Sequence, residues 1–575
     1  MLRIWRNNQL HALRPNLWDG LAFLIVILLF ALLAFAATQM ATPYHVGEAL
    51  IIHLNPSYLP YYALRTVLRM FIALFFSLLF TFIVGALAAK NKHAERFIIP
   101  AIDILQSVPI LGFLSITIVI FIALFPNSIL GPECAAIFVI FTSQVWNITL
   151  GFYQSLKTLP YDLKEAASMF HLSTWQRFWR IEVPFAMPGL IWNIMMSMSA
   201  SWFFVVASEA ITVNHQNIFL PGIGSYIAVA IKEAHFSAVA YAIITMLIVI
   251  LLYDQILFRP LIQWSERFKM DVSNEKRPTA LLVLLLNKTR LLHYLGSFFA
   301  KLFVLLTSLR LGQSIVALER ETSRSRYTQI TVWLYYCLIL TLCLIAIIAL
   351  ARFIFHSLTV SQVLQVLLLG IYTTIRVVVL IFLCSLIWVP VGVWVGMRSQ
   401  ATQIIQPIAQ FLASFPANLV FPIVVILIVK FNLNVEIWTA PLMILGTQWY
   451  ILFNVIAGAA SLPKELCLAA KNFNVKGWLW WRKLILPGIF PFYVTGAMTA
   501  AGGAWNASIV AEVVSWGAHT LRATGLGAYI ATYTATGNFP KIALGISVMC
   551  LYVLLINRLV WQPMYNLAQK RFQLY

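Results

Sequence analysis

The chain has 575 residues, 61% of them hydrophobic and only 10% charged, with a mean hydropathy of +0.87 and a formal net charge of +20. A soluble domain carries about 25% charged residues, so the composition excludes a soluble globular protein and predicts an all-α polytopic membrane protein. Such positive charge in a soluble chain would suggest nucleic acid; here Lys and Arg gather between apolar runs, as they do in cytoplasmic loops, and no nucleic-acid partner is expected.

Residues 1–19 carry Arg3, Arg6 and Arg14 with no acid before Asp19, which places the N-terminus in the cytoplasm. Residues 20–40 are long enough to cross the hydrocarbon core, which takes about 20 residues. They are too long for a typical signal h-region and lack a clear cleavage site, so they read as a retained helix. The loop 41–62 has no Lys or Arg and suits the outside. Residues 64–89 return inward to Lys90, Lys92 and Arg96; 98–124 cross outward, 134–155 back, 186–208 out and 236–257 in. That makes six spans with both termini of the half inside.

Between the spans at 134–155 and 186–208 lies a basic island, Leu156–Leu190, that reads as helix, turn, helix. Pro160 precedes a helix whose first turn Asp162 favours. Ala166, Ala167 and Phe170 form a small-small-large face, with Ala167 and Phe170 spaced i, i+3. Pro184 and Pro188 punctuate the return into the membrane. The island recurs 303 residues later: Leu159-Pro160 matches Leu462-Pro463, Ala166-Ala167 matches Ala469-Ala470, and Phe170, Trp175, Pro184 and Pro188 match Phe473, Trp478, Pro487 and Pro491. An ordinary Lys/Arg-rich loop explains one copy but not two in register.

Residues 258–330 are a basic, cytoplasmic connector. Its apolar stretch 281–309 would invert the second half if it spanned, against the charges of Lys464, Lys471, Lys476, Arg482 and Lys483. An amphipathic surface helix flanked by Lys288, Arg290, Lys301 and Arg310 is expected instead, in contact with membrane lipid. A helix at 331–351 opens the second half, and spans follow near 370–396, 405–429, 436–457, 489–511 and 540–560.

Early in each half the offset is 307: Thr66, Arg69, Gly85, Pro100 and Ser107-x-Pro109 match Thr373, Arg376, Gly392, Pro407 and Ser414-x-Pro416. By Trp146 and Trp449 it is 303, so the first repeat carries four extra residues around 125–133. The expected fold is two tandem parallel repeats of six transmembrane helices, about 12 in total. The divisions are 1–60 (tail, first helix and outer loop), 61–268 (repeat 1), 269–330 (connector), 331–368 (first helix of the second half and outer loop) and 369–575 (repeat 2). A third matched block follows the islands: Trp202, Glu209, Gly222-x-Gly224 and Tyr226 match Trp505, Glu512, Gly525-x-Gly527 and Tyr529. Trp202 and Glu209 share a helix face, as do Trp505, Ser508 and Glu512. An acid at the end of an apolar helix needs water or a partner. Glu209 and Glu512 therefore either line a translocation path or cap outer loops, and both readings stay open. Ser107 and Ser414, beside their prolines, are candidate pore-helix kinks or packing kinks.

The islands resemble the EAA loop of bacterial ABC-importer permeases, whose pattern is Glu-Ala-Ala, a hydrophobic residue, Gly and a distal Pro. Here Glu165-Ala166-Ala167 is followed by Phe170, His171 in the Gly place, and Pro184. The second copy has Glu465 nearby, Leu468 in the Glu place, then Ala469, Ala470, Phe473 and Asn474 in the Gly place. His and Asn at the Gly position leave the turn geometry open. Glu512 followed by Gly525-Leu526-Gly527-x-Tyr529-Ile530 resembles the nitrate, taurine and sulfonate permeases of that family. The resemblance implies a type I ABC importer fold and a fused pair of permease domains in the bacterial inner membrane with both termini cytoplasmic. It implies two partner ABC ATPases (a homodimer) docking on Glu165, Ala166, Ala167, Phe170, His171, Glu465, Leu468, Ala469, Ala470, Phe473 and Asn474. It also implies a periplasmic or lipid-anchored substrate-binding protein, and a small oxyanion or sulfonate as solute. Ser107, Trp202, Glu209, Ser414, Trp505, Ser508 and Glu512 are the candidates for the path. Fused permeases also occur among ferric-ion and thiamine importers, so fusion does not select the solute.

No G-x-x-x-x-G-K-[ST], HExxH or GxSxG occurs in the chain. The six Cys have no CxxC spacing and read as small apolar residues. The expectation is no catalytic residue and no cofactor or metal in this chain, with ATP and Mg bound by the partner ATPases. An intramembrane enzyme is thereby disfavoured, and an ion-coupled secondary transporter leaves the two islands without a role.

Overall fold

The computed structural model describes residues 51–106, 108–213, 216–268, 300–311 and 326–572, with isolated helical positions between 20 and 38. Backbone amides and carbonyls in lipid must be satisfied internally, so the apolar runs become helices. Among the described residues, eight helices are long and apolar enough to cross a membrane. In the first half these are Pro56–Lys90, Leu130–Lys157, Thr174–Glu209 and Phe236–Ser265; in the second, Tyr336–Ser357, Val360–Gly396, Gly477–Ala511 and Phe539–Ala568. Two bent pairs, Gln400–Ser414 with Ala417–Lys430 and Val435–Ile444 with Trp449–Ala460, bring the number to ten if each is one span. The expected span at 20–40 and most of the expected surface helix at 281–309 lie outside the described residues; 300–308 is helical.

The expected spans at 98–124, 405–429 and 436–457 are not continuous helices; the last bends by 47° between Ile444 and Trp449. In the second half the chain bends by 69° after Ser414. Phe415 is extended (φ −72°, ψ 127°) because Pro416 follows it, and the proline ring disfavours a helical neighbour on its N-terminal side. In the first half Lys92–Leu105 and Leu114–Leu124 flank Pro109 in the same way. Pro184 and Pro487 act differently from the expected punctuation. The island's second helix runs straight into the long helix, through a π turn at Phe178–Glu182 and again at Trp481–Ile485. The same arrangement recurs at Asp254–Phe258 before Pro260 and at Asn557–Trp561 before Pro563. A proline has no N–H to donate and crowds the carbonyl four residues back, so the preceding turn widens instead of breaking.

The halves hold together by exchanging elements. Ile110, Leu111, Leu114 and Ile118, from the broken span of the first half, belong to the apolar cluster of the second half. Phe411, Phe415 and Leu419 of the second half pack into the cluster of the first. Two short antiparallel hairpins, Ala210–Val213 with Gln216–Phe219 and Val513–Trp516 with His519–Arg522, follow the two long helices. Ile211 and Ile218 of the first hairpin are buried in the second half's cluster, and Trp516 of the second packs against the first half's. Both hairpins therefore meet on one face. Each long helix runs from its island to its hairpin, so both islands lie on the opposite face and the repeats are parallel.

Candidate functional site

Glu209 ends its long helix with a fully buried carboxylate. Oε1 accepts from Thr66 Oγ1 at 2.7 Å and Arg69 Nη1 at 2.6 Å, and Oε2 accepts from Gly224 N at 2.7 Å. Arg69 also binds Glu133 through Nε at 2.6 Å and Nη2 at 2.7 Å, and Arg65 Nη2 reaches the same Glu133 at 2.6 Å. Two arginines and two carboxylates, each no more than 1% exposed, thus form a charge-balanced cluster. Burying them is tolerable only because each is paired and hydrogen-bonded. Gly222 is required by contact: a Cβ there would lie 2.3 Å from the Glu209 carboxylate, and the matched Gly525 is equally close to Glu512.

The second half repeats this geometry in looser form. Glu512 accepts from Thr373 Oγ1 at 2.9 Å, Arg376 Nη1 at 3.1 Å and Ala528 N at 3.0 Å. Arg376 also pairs with Glu436, which is 45% exposed and is held by Thr524. Sequence reasoning matched Thr66, Arg69 and Glu209 to their twins but did not join them, and it missed Glu133 and Glu436. A signal existed: Glu133 and Glu436 lie 303 apart, the spacing of Glu209 and Glu512, and each is an acid within an apolar helix.

A cavity of about 310 Å³ lies between the halves. Its polar wall includes Ser143, Asn147, Ser197, Thr447, Thr499 and Asn506, and its aromatic wall Trp146, Phe203, Phe415, Tyr450 and Trp505. Among the described residues its wall has no Lys, Arg, His, Asp or Glu. Trp505 is the path candidate that lines it. Ser414 stands just behind the wall, its Oγ donating to Ser199 Oγ at 2.8 Å, and Ser199 is on the wall. Trp202, matched to Trp505, is instead packed edge-on against Tyr253 at 5.7 Å within its own half. Ser508 is buried and turned onto the Trp505 carbonyl at 2.7 Å. Glu209 and Glu512 do not line this cavity, because their carboxylates are consumed by the arginine clusters. Ser107 lies outside the described residues. Asn506 holds the halves together by accepting from Ile110 N at 2.6 Å.

Each island is a helix, a turn and a shorter helix: Tyr161–Met169 then Thr174–Arg177, and Lys464–Asn472 then Gly477–Trp480. His171 and Asn474 stand where the family pattern has Gly, and both take the left-handed backbone, φ 46° and 53°. Leu172 N then donates to Ala167 O at 3.1 Å and Val475 N to Ala470 O at 2.9 Å, closing the same helix cap twice. The turn geometry left open by the sequence is therefore conserved between copies. Ala167 is buried, whereas Phe170 is 77% and Phe473 82% exposed. Glu165, Glu465 and Leu468 are exposed as well, while Ala166, Ala469 and Ala470 are half-buried.

The rear of the first island is tied down. Trp175 Nε1 donates to Leu306 O at 3.0 Å, Gln176 Nε2 to Ser308 O at 2.8 Å, and Trp179 packs edge-on against Phe303 at 5.8 Å. The stretch 303–308 of the connector is thus bound to the island's second helix and the π turn that follows. Within the adjoining π turn, Glu182 pairs with Lys90 at 2.7 Å and Arg177 at 3.0 Å. The second island has Trp478 at 71% exposed where the first has Trp175, and Ile485 where the first has Glu182.

A family model, binding-protein-dependent transport system inner membrane component, matches residues 81–258 and again 388–568, together well over half of the chain. Relatives include the bicarbonate transport system permease protein CmpB of Synechococcus elongatus, 25% identical over 185 residues, which cover 32% of this chain and 60% of that protein. The nitrate import permease protein NrtB of Synechocystis is 28% identical over 171 residues, 30% of this chain and 57% of that protein. The glycine betaine transport system permease protein OpuAB of Bacillus subtilis is 26% identical over 252 residues, 43% of this chain and 84% of that protein. The match thus spans about 60% of the length of the bicarbonate and nitrate relatives. With two matched domains in tandem, exchanged helices between them and a multi-pass apolar fold, the chain belongs to the binding-protein-dependent transport system inner membrane components, as a fused double permease of the ABC-importer class.

Proposed function

We propose that this chain carries a small polar solute between its two halves and is driven by two ATPase subunits that seat on Phe170 and Phe473. The observation that carries the reading is the cavity built by both halves at the point where they exchange helices: among the described residues its wall is mainly apolar and aromatic, carries hydroxyls and amides at Ser143, Asn147, Thr447 and Asn506, and has no charged side chain. ATP and Mg bind on the ATPases, whose closure draws the islands together and moves the long helices through the π turns. A binding protein delivers the solute on the hairpin face. Both termini lie on the island side, in keeping with the Arg-rich N-terminus and the basic islands.

The solute class is a small oxyanion or sulfonate. Neutral O–H and N–H donors offer such an ion hydrogen bonds in transit without the deep well that a buried arginine would create. The nitrate and bicarbonate relatives support this choice, and a ferric-ion path would call for carboxylates that the described wall does not provide. One observation favours a second reading: Trp146, Tyr450 and Trp505 line the cavity, aromatic rings attract a quaternary ammonium, and one relative is a glycine betaine permease.

The test is uptake into proteoliposomes holding the full chain, its partner ATPases and the binding protein, with ATP supplied on the island side. Labelled nitrate, bicarbonate, taurine and glycine betaine are compared. ATP-dependent uptake of an anion that Trp505→Ala reduces is expected. Uptake driven by an ion gradient without ATP would overturn the importer reading, and uptake of glycine betaine alone would select the second solute class.

A further inference from the structure

The hairpins are reciprocal: each grows from one half and closes on the other. Each is pinned at its base by the carbonyl of the network glutamate, with Leu220 N donating to Glu209 O at 2.9 Å and Ala523 N to Glu512 O at 2.9 Å. A rigid anchor therefore presents each hairpin to the opposite half. Strand Ala210–Val213 packs against helix Leu526–Thr536, and strand Val513–Trp516 packs against helix Ile223–Lys232.

The second hairpin also carries a polar latch. Helix Ile223–Lys232 ends in a cap in which His235 N donates to Ala230 O at 2.8 Å and Ala234, at φ 54°, takes the left-handed backbone. The carbonyls of a helix end need outside donors. Ile231 O accepts from Ala234 N at 3.1 Å within this cap, and Gly517 N, at the tip of the second hairpin, adds a second, shorter hydrogen bond to it at 2.8 Å across the boundary between the halves. Gly517 is itself left-handed, φ 57°, and a Cβ built on it would lie 3.2 Å from Ala234 Cβ. Among the described residues, the halves touch on this face through short strands, the buried side chains of Ile211, Ile218 and Trp516, and a backbone hydrogen bond at a turn, contacts that can part without unfolding either half.

We propose that the two hairpins are the gate on the face opposite the islands, that they are shut in this structure, and that the Gly517–Ile231 latch must release for solute to reach the cavity. The proposal rests on the importer reading above. The same geometry supplies a lock: Cβ atoms of disulfide-bonded cysteines lie about 3.5–4.5 Å apart, so a small relaxation joins residues 234 and 517. In the full chain with its six cysteines replaced, Ala234→Cys with Gly517→Cys is assembled with the ATPases and binding protein in proteoliposomes.

The expected result is a disulfide on mild oxidation without ATP, loss of at least nine-tenths of uptake in the oxidised form, and recovery on reduction. The reduced double variant, which carries the same substitution at the left-handed Gly517, is the reference for that loss, and oxidation should not change uptake by either single variant. Cross-linking with uptake intact would overturn the gate, and so would failure to cross-link in the absence of ATP. A cysteine-free parent that shows no ATP-dependent uptake would instead overturn the importer reading, which separates the two failures. Both positions are left-handed, so a second measurement avoids them: spin labels at Glu233→Cys and His519→Cys, residues exposed on the two sides of the latch. Their separation should lengthen when a non-hydrolysable ATP analogue traps the ATPases closed. An unchanged distance would overturn the gate.

Discussion

Replacing Glu209 by Leu should harm the protein far more than the matched Glu512→Leu, although the two glutamates are equivalent in sequence. The first cluster holds Arg65, Arg69, Glu133 and Glu209, each at most 1% exposed, and its formal charge is zero. Removing Glu209 leaves one uncompensated buried positive charge, at a cost of about 3–5 kcal/mol. The second cluster holds one arginine and two carboxylates, with Glu436 open to solvent. Removing Glu512 leaves a neutral Arg376–Glu436 pair, and the loss reduces to unsatisfied donors at Thr373 and Ala528, about 1–3 kcal/mol. The assay is thermal unfolding of the purified full chain in nanodiscs, followed by tryptophan fluorescence. Glu209→Leu should lower the apparent melting temperature more than Glu512→Leu, and Glu209→Gln should fall between wild type and Glu209→Leu. Adding Arg65→Met to Glu209→Leu should recover part of the loss by restoring neutrality, a coupling that a sum of independent effects does not give. Equal losses for the two Leu variants, or no recovery in the double variant, would refute the charge-balance argument.

Gly222→Ala pushes a methyl into the Glu209 carboxylate and should destabilise by about 1–3 kcal/mol in the same assay, while Gly525→Ala costs less because the second cluster can yield toward solvent. Phe170→Ala and Phe473→Ala should leave folding within about 0.5 kcal/mol of wild type, since both rings are exposed. Each should weaken co-purification of the ATPases by roughly 1.5–3 kcal/mol, whereas Glu165→Ala costs about 1 kcal/mol or less and only at low salt. Asn506→Ala removes the acceptor for Ile110 N and should destabilise by about 1–3 kcal/mol, read as a lower melting temperature with the ATPases still bound.

Much of the architecture was legible because it is written twice. The offsets of 307 and 303 located both repeats, the islands and the paired glycines, and each island has the expected helix, turn and helix. Single-residue patterns carried less. An acid at a helix end announces that it needs a partner, but sequence spacing did not reveal that Arg69, 140 residues away, supplies it to Glu209. The matched tryptophans had equal claims on the path. They parted because Trp202 found Tyr253 in its own half while Trp505 reached the boundary. Pro184 was expected to punctuate the return into the membrane, yet Pro184 and its match Pro487, each two residues after a π turn, are absorbed by a wider turn, whereas Pro416, expected at a kink, breaks its helix because Phe415 is driven to an extended backbone. Contacts between halves, such as Gly517 with Ile231, have no signature within either half.

The tether between the connector and the first island bears on how a symmetric motor would work on this chain. Two ATPases would meet one seat held by Trp175, Gln176 and the Glu182 ion pairs, and another that has no such ties among the described residues, with Trp478 exposed. A stiff seat passes displacement into the bundle with little lag; a compliant one absorbs part of it. Nucleotide closing at the first seat would therefore do more mechanical work on the permease than closing at the second. Among the described residues the connector meets only the first island, so a pair of ATPases working on this chain would have a leading and a trailing stroke.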